Sequence, residues 1–186
     1  DDWYIGKKPN NSGVPQEISD LSLTFKYNDI ESLETLFNQY PGQIACVILE
    51  PMEFDYPQDN YLHKVKDLCH KNGTVFVLDE MITGFKLGYP GAHSALDIEP
   101  DLSTWGKGVA NGFSVCLLAG KKEIMELGGI NHKKERVFLI STTHGAETHA
   151  LAAAIASIKI TRDLKTVEKS MQIGNKIKEE LIKLIS

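Results

Sequence analysis

The chain has 186 residues, 42% apolar and 24% charged, an ordinary composition for a folded domain that excludes a disordered or low-complexity chain. Twenty basic against 25 acidic residues leave a net charge of −5, the wrong sign for a nucleic-acid partner. No apolar run reaches the length of about 18 residues that a membrane span needs, and the start, Asp1-Asp2-Trp3-Tyr4, carries no secretion-signal pattern.

In chain order, Leu21–Phe25 reads as a short strand. Asn28-Asp29 can cap a helix over Ile30–Gln39, with Leu33, Leu36 and Phe37 on one face. Gln43–Leu49 is a continuous apolar run, the pattern of a strand buried on both faces. A helix over Gln58–Lys71 follows Pro57 and closes at Asn72-Gly73. Thr74–Leu78 is a second buried strand and Phe113–Ala119 a later one; Arg136–Ile140 is a further short candidate. From Ala146 the pattern is helical to Ser186. Two buried strands around a helix predict a βαβ unit and a largely parallel sheet, whose chemistry sits at the carboxyl ends of the strands.

Those ends carry distinctive residues. The first strand runs into Glu50-Pro51 and the second into Asp79-Glu80. Glu50 and Glu80, taken alone, read as solvated turn acids; Asp79 directly follows an apolar run, where a carboxylate needs a partner. Lys107 is flanked by Gly106 and Gly108, which let another molecule approach, and Trp105 and Val109 predict apolar surroundings for its amine. A neutral amine is what Schiff-base chemistry requires. A P-loop is excluded, because Gly106-Lys107 is followed by glycine rather than Ser or Thr. Ser141–Gly145 offers hydroxyls and backbone N–H groups before a helix, equally an anion site or a plain cap. His63 with His70, and His144 with His149, lack metal-ligand spacing. Cys46, Cys69 and Cys116 lie in apolar runs and read as buried free thiols of a reducing compartment, which places the protein in the cytoplasm.

Taken together, VILEP (47–51), VFVLDEMITGF (75–85), PDLSTWGKGVANGFSVCLLAGKKEIM (100–125) and STTHGAETHALAAA (141–154) resemble the class-III aminotransferases, on the side of their glutamate-1-semialdehyde 2,1-aminomutase-like branch. The resemblance implies an α/β fold of the aspartate-aminotransferase type (PLP fold type I), the core of a large domain with a mostly parallel sheet and helices on both faces. Residues 1–160 then belong to the domain that binds pyridoxal 5′-phosphate (PLP). Residues 161–186 form a helix leading towards a small C-terminal domain, and the phosphate-cradling loop precedes Asp1. Lys107 matches the lysine that carries PLP as a Schiff base, and Asp79 the aspartate that pairs with its pyridine nitrogen. Met81 matches the apolar residue against the ring, Glu50 an acid near the pocket, and Thr142 a threonine reaching the cofactor phosphate of the neighbouring subunit in a homodimer. Asp55, His144 and Glu147 depart from the family pattern. The implied activity is transamination or aminomutation of a small amine or carbonyl substrate. A catalytically silent dimerisation module is the alternative, and a nucleotide-dependent ATPase, suggested only by Asp79-Glu80, is a third reading.

Overall fold

The computed structural model describes residues 12–52, 54–137 and 142–185. The elements are α1 (Gln16–Ser19), α2 (Ile30–Gln39), β1 (Cys46–Leu49), α3 (Tyr61–Lys71), β2 (Val75–Asp79), α4 (Ala92–Ala95), β3 (Leu102–Trp105), β4 (Leu117–Gly120), α5 (Lys122–Met125), α6 (Thr148–Asp163) and α7 (Thr166–Ile185). The sheet order is β1-β2-β3-β4, with the first three strands parallel and β4 antiparallel to β3.

Helix α2 begins where the side chain of Asp29 accepts the backbone N–H of Ser32 at 3.1 Å, a cap that contributes about 0.5–2 kcal/mol. Its Leu33 and Phe37, four apart, are buried. On α3, Tyr61, Leu62, Val65 and Cys69 form the buried stripe, and the Asn72 side chain donates to the Leu68 carbonyl at 2.8 Å to close the last turn. These stripes meet Val47, Phe76 and Leu78 of the sheet in the principal core. Buried Asp101 ties the layers together: it accepts from the Phe76 N–H at 2.7 Å and pairs with Lys121 Nζ at 2.6 Å and His70 Nε2 at 3.0 Å.

Several expectations need correction. Residues 21–25 form no strand: the N–H groups of Leu21 and Ser22 bond back to Ile18 and Ser19, so the backbone is used in a turn after α1. Helix α3 starts at Tyr61 rather than Gln58, because Asp59 and Asn60 have φ of 48° and 57°, outside the helical region. Strand β1 alternates instead of burying both faces: Val47 is 4% exposed and Ile48 52%. The strand expected at Phe113–Ala119 occupies Leu117–Gly120 and is an exposed edge. The link 106–116 is too short for a helical crossover, which is why β4 runs antiparallel. Arg136 and Val137 lie in no strand, and the rest of that candidate, 138–140, falls outside the described residues.

The C-terminal helix is two helices, parted at Leu164–Lys165, where Lys165 has φ 50°. The 160/161 division therefore falls inside α6. Of the cysteines, only Cys69 is buried; Cys46 shares the open face of β1 with Ile48, and Cys116 stands at the start of β4. No helix among the described residues is long and apolar enough to cross a membrane.

Candidate active site

Parallel register brings the carboxyl ends of β1, β2 and β3 to one edge. Leu49 pairs with Leu78 and Asp79 with Thr104, so Glu50, Asp79 and the Gly106-Lys107 step leave the sheet side by side. Because β4 is antiparallel, with Leu117 opposite Trp105, its first residues start at the same edge.

Asp79 is half-buried. Its Oδ1 accepts the Thr104 hydroxyl and the Met81 N–H, both at 2.9 Å, and no described residue donates to Oδ2. The carboxylate is thus held by one oxygen and presents the other. Trp105 is buried and its indole N–H donates to Ser103 Oγ at 2.8 Å. The chain then turns sharply: Lys107 has φ 45° and opens a single 3-10 turn over Lys107–Val109. Val109 and Ala110 bury against Ala154 of α6 and anchor that turn. The apolar surroundings expected for Lys107 are not present among the described residues. Trp105 and Val109 point into the core, and the Lys107 side chain is exposed. A Cβ at Gly106 would collide with Met81 Cε and come within 2.8 Å of its Sδ, so glycine lets Met81 lie over the junction of strand and turn.

Lys107 opens into a cleft of about 1210 Å³ that Met81, Thr104, Cys116, Thr142 and His144 also line. The Thr142–Gly145 turn closes through the Gly145 N–H, which donates to the Thr142 carbonyl at 3.2 Å. Of the expected site residues, Lys107, Met81 and Thr142 share the cleft. Asp79 is joined to it through Thr104 and Met81. Glu50 stands at the same sheet edge, half-buried, and is not part of the lining.

Glu80 is not the solvated turn acid expected of it: it is fully buried. Its Oε2 accepts the Thr83 hydroxyl and the Ala92 N–H, and its Oε1 accepts the His93 N–H at 2.7 Å, with His93 Nδ1 at 2.9 Å. Burial raises its pKa, but the side-chain bonds to His93 and Thr83 and the two backbone N–H groups outweigh that and hold it below the usual carboxylate range. Sequence reasoning missed Glu80, and also Thr104 and Cys116. Thr104's signal was its place in DLSTW, one residue before Trp105 in a strand too short and mixed to stand out.

The family model for class-III aminotransferases matches residues 8–186. The chain belongs to the class-III aminotransferases. Within that family it is 34% identical over 171 residues to the glutamate-1-semialdehyde 2,1-aminomutase of Francisella tularensis subsp. mediasiatica, covering 90% of this chain and 37% of that protein. Among solved structures, acetylornithine aminotransferase from Elizabethkingia anophelis superposes with a TM-score of 0.73 at 29% identity, covering 87% of this chain and 42% of that one. The FumI protein of Sphingopyxis sp. MTA144, whose structure holds PLP, gives a TM-score of 0.67 at 28% identity, covering 75% of this chain and 34% of that one. This chain therefore spans well under half the length of the relatives it matches. The α/β fold with a mostly parallel sheet is the one that class-III aminotransferases share.

Proposed function

We propose that this chain forms the PLP-holding core of a transaminase or aminomutase that moves an amino group to or from a small carbonyl substrate. One observation carries the reading: a single cleft at the carboxyl edge of the sheet holds an exposed primary amine, Lys107, next to a carboxylate, Asp79, fixed by one oxygen only. These residues fit the cofactor. An aldehyde needs an accessible amine, a pyridinium nitrogen needs an anionic acceptor, and a flat ring needs an apolar neighbour, which Met81 supplies.

PLP, when bound, supplies an electron sink for the pair released as a substrate Cα–H bond breaks. The rest falls to this chain. Lys107 Nζ holds the cofactor covalently and, once displaced by an amine substrate, carries the proton from one carbon to another. Asp79 holds the proton on the ring nitrogen. Met81 packs against the ring, and Glu50 acts as an acid beside the pocket. Thr142 binds phosphate across a homodimer boundary; because it also lines the cleft of its own Lys107, a within-chain contact is the competing arrangement. Mixing Lys107→Ala and Thr142→Ala subunits of the longer protein separates the two, since only a trans contact restores activity. We further propose that residues 1–160 are part of the PLP-binding domain and 161–186 a helix leading away from it, in a cytoplasmic enzyme.

The deciding experiment is incubation with PLP followed by borohydride and peptide mass spectrometry. Label on Lys107, with loss of the visible absorbance in Lys107→Ala, supports the reading. Label spread over surface lysines with no preference for Lys107 overturns it.

A further inference from the structure

The Lys107 turn does not stand alone on the end of β3. It rests on the segment between β2 and α4. The Gly84 N–H donates to the Glu80 carbonyl at 2.8 Å, and a Cβ on Gly84 would come within 2.7 Å of Trp105 Cε3. A Cβ on Gly108, next to Lys107, would lie 3.5 Å from the Gly84 carbonyl oxygen and 3.8 Å from Phe85 Cβ. Phe85 also packs on Val109 and Ala110, and its ring centroid is 5.6 Å from that of Trp105. Lys107 thus sits between two residues, Trp105 and Gly108, that both touch Gly84-Phe85.

What holds Gly84-Phe85 in place is the Glu80 carboxylate. It reaches over the segment and gathers donors from both ends, the Thr83 hydroxyl on one side and Ala92 and His93 on the other. Gly91 leaves room for it, since a Cβ there would stand 2.7 Å from Glu80 Cδ. The His93 ring, held by the same carboxylate, meets Trp105 edge-on at 5.5 Å. A buried carboxylate fully supplied with donors is rigid, whereas removing one donor leaves charge uncompensated.

We infer that Glu80 is a positioning residue for Lys107: by closing the 83–93 segment on itself it fixes the surface on which Trp105 and the Lys107–Val109 turn are set. This rests on Lys107 having the role proposed above, but its structural half can be read without PLP.

The test uses the full chain and hydrogen exchange at three amides: Phe85, whose N–H bonds to the Pro90 carbonyl; Val109, whose N–H bonds to the Gly106 carbonyl; and Val77 in β2 as control. Glu80→Gln puts an amide N–H against other donors. His93→Phe keeps an aromatic edge on Trp105 and removes a single donor, so it carries the test if Glu80→Gln fails to fold. Both variants should speed exchange at Phe85 and Val109 by about tenfold or more and leave Val77 within about twofold. His93→Asn, whose amide nitrogen can take the place of Nδ1, should restore the slow exchange. Borohydride-trapped PLP on Lys107 should fall in step with the Val109 change. Faster exchange at Phe85 with Val109 unmoved reduces Glu80 to a loop anchor and overturns the inference, as does parallel acceleration of Val77. Wild-type protein that takes no label at Lys107 defeats the cofactor reading alone, and the Val109 amide still decides the role of Glu80.

Discussion

The Thr104 hydroxyl donates to Asp79 Oδ1 at 2.9 Å, and the two residues are register partners at the carboxyl ends of β3 and β2. With the Met81 N–H on the same oxygen, the carboxylate plane is set by the sheet itself. Thr104→Val keeps the branched shape and removes the donor. It is expected to weaken PLP binding by about tenfold while lowering unfolding free energy by only about 1 kcal/mol. Cofactor titration beside urea unfolding checks this; a stability loss with unchanged PLP affinity would mean that Thr104 does not orient Asp79.

Two glycines predict opposite responses to the same substitution. At Gly91 an added Cβ meets the Glu80 carboxylate, so Gly91→Ala should destabilise the chain by about 1–3 kcal/mol. At Gly174, within α7, nothing lies within 4 Å, and Gly174→Ala should stabilise it by about 0.5–1 kcal/mol. Urea midpoints moving in the same direction for both would contradict the packing of Gly91 on Glu80.

How legible these features were in the sequence depended on how local their causes are. Helix α2 was readable to the residue because its cap and its buried pair lie within ten positions. The carboxyl-edge site was also readable, since each parallel strand ends in its own functional group and register alone aligns them. The direction of β4 was not readable, because it depends on how far the 106–116 link can reach. The burial of Glu80 was hidden for a different reason: its partners Ala92 and His93 are a loop away, and two of its donors are backbone N–H groups that any sequence would supply. The cysteines misled because an apolar run does not say which face of a strand stays open.

Asp101 makes stability depend on acid. Burial raises its pKa, but the Lys121 ammonium, the Phe76 N–H and His70 outweigh burial and hold it below the usual carboxylate range. A lowered folded-state value means the stabilisation is fully present above the unfolded-state pKa, about 3.9, and is lost as pH falls through the lower folded value. Asp101→Asn should therefore be less stable than wild type at neutral pH, and the gap should narrow as pH drops below about 4. Glu80 shifts in the same direction but is present in both proteins, so the difference isolates Asp101. Urea midpoints across this range provide the test, and a gap that does not change with pH rules the linkage out.

The three cysteines give a test of the cleft that needs no turnover. The Cys69 thiol is pushed up to about 12, first by burial and then by the charge of Asp101, so almost none of it is thiolate at mild pH. Cys46 and Cys116 are both exposed but stand in different places: Cys46 begins β1, at the edge opposite the site, while Cys116 lines the cleft with Lys107. Iodoacetamide at pH about 8 should alkylate Cys46 and Cys116 and reach Cys69 only in denaturant. Prior loading with PLP should slow alkylation of Cys116 and leave Cys46 unchanged, and the protection should vanish in Lys107→Ala. Mass spectrometry of the labelled peptides reads all three sites at once. Equal protection of Cys46 and Cys116 would show that PLP acts through general tightening of the chain rather than by filling the space beside Lys107, and would place the cofactor elsewhere.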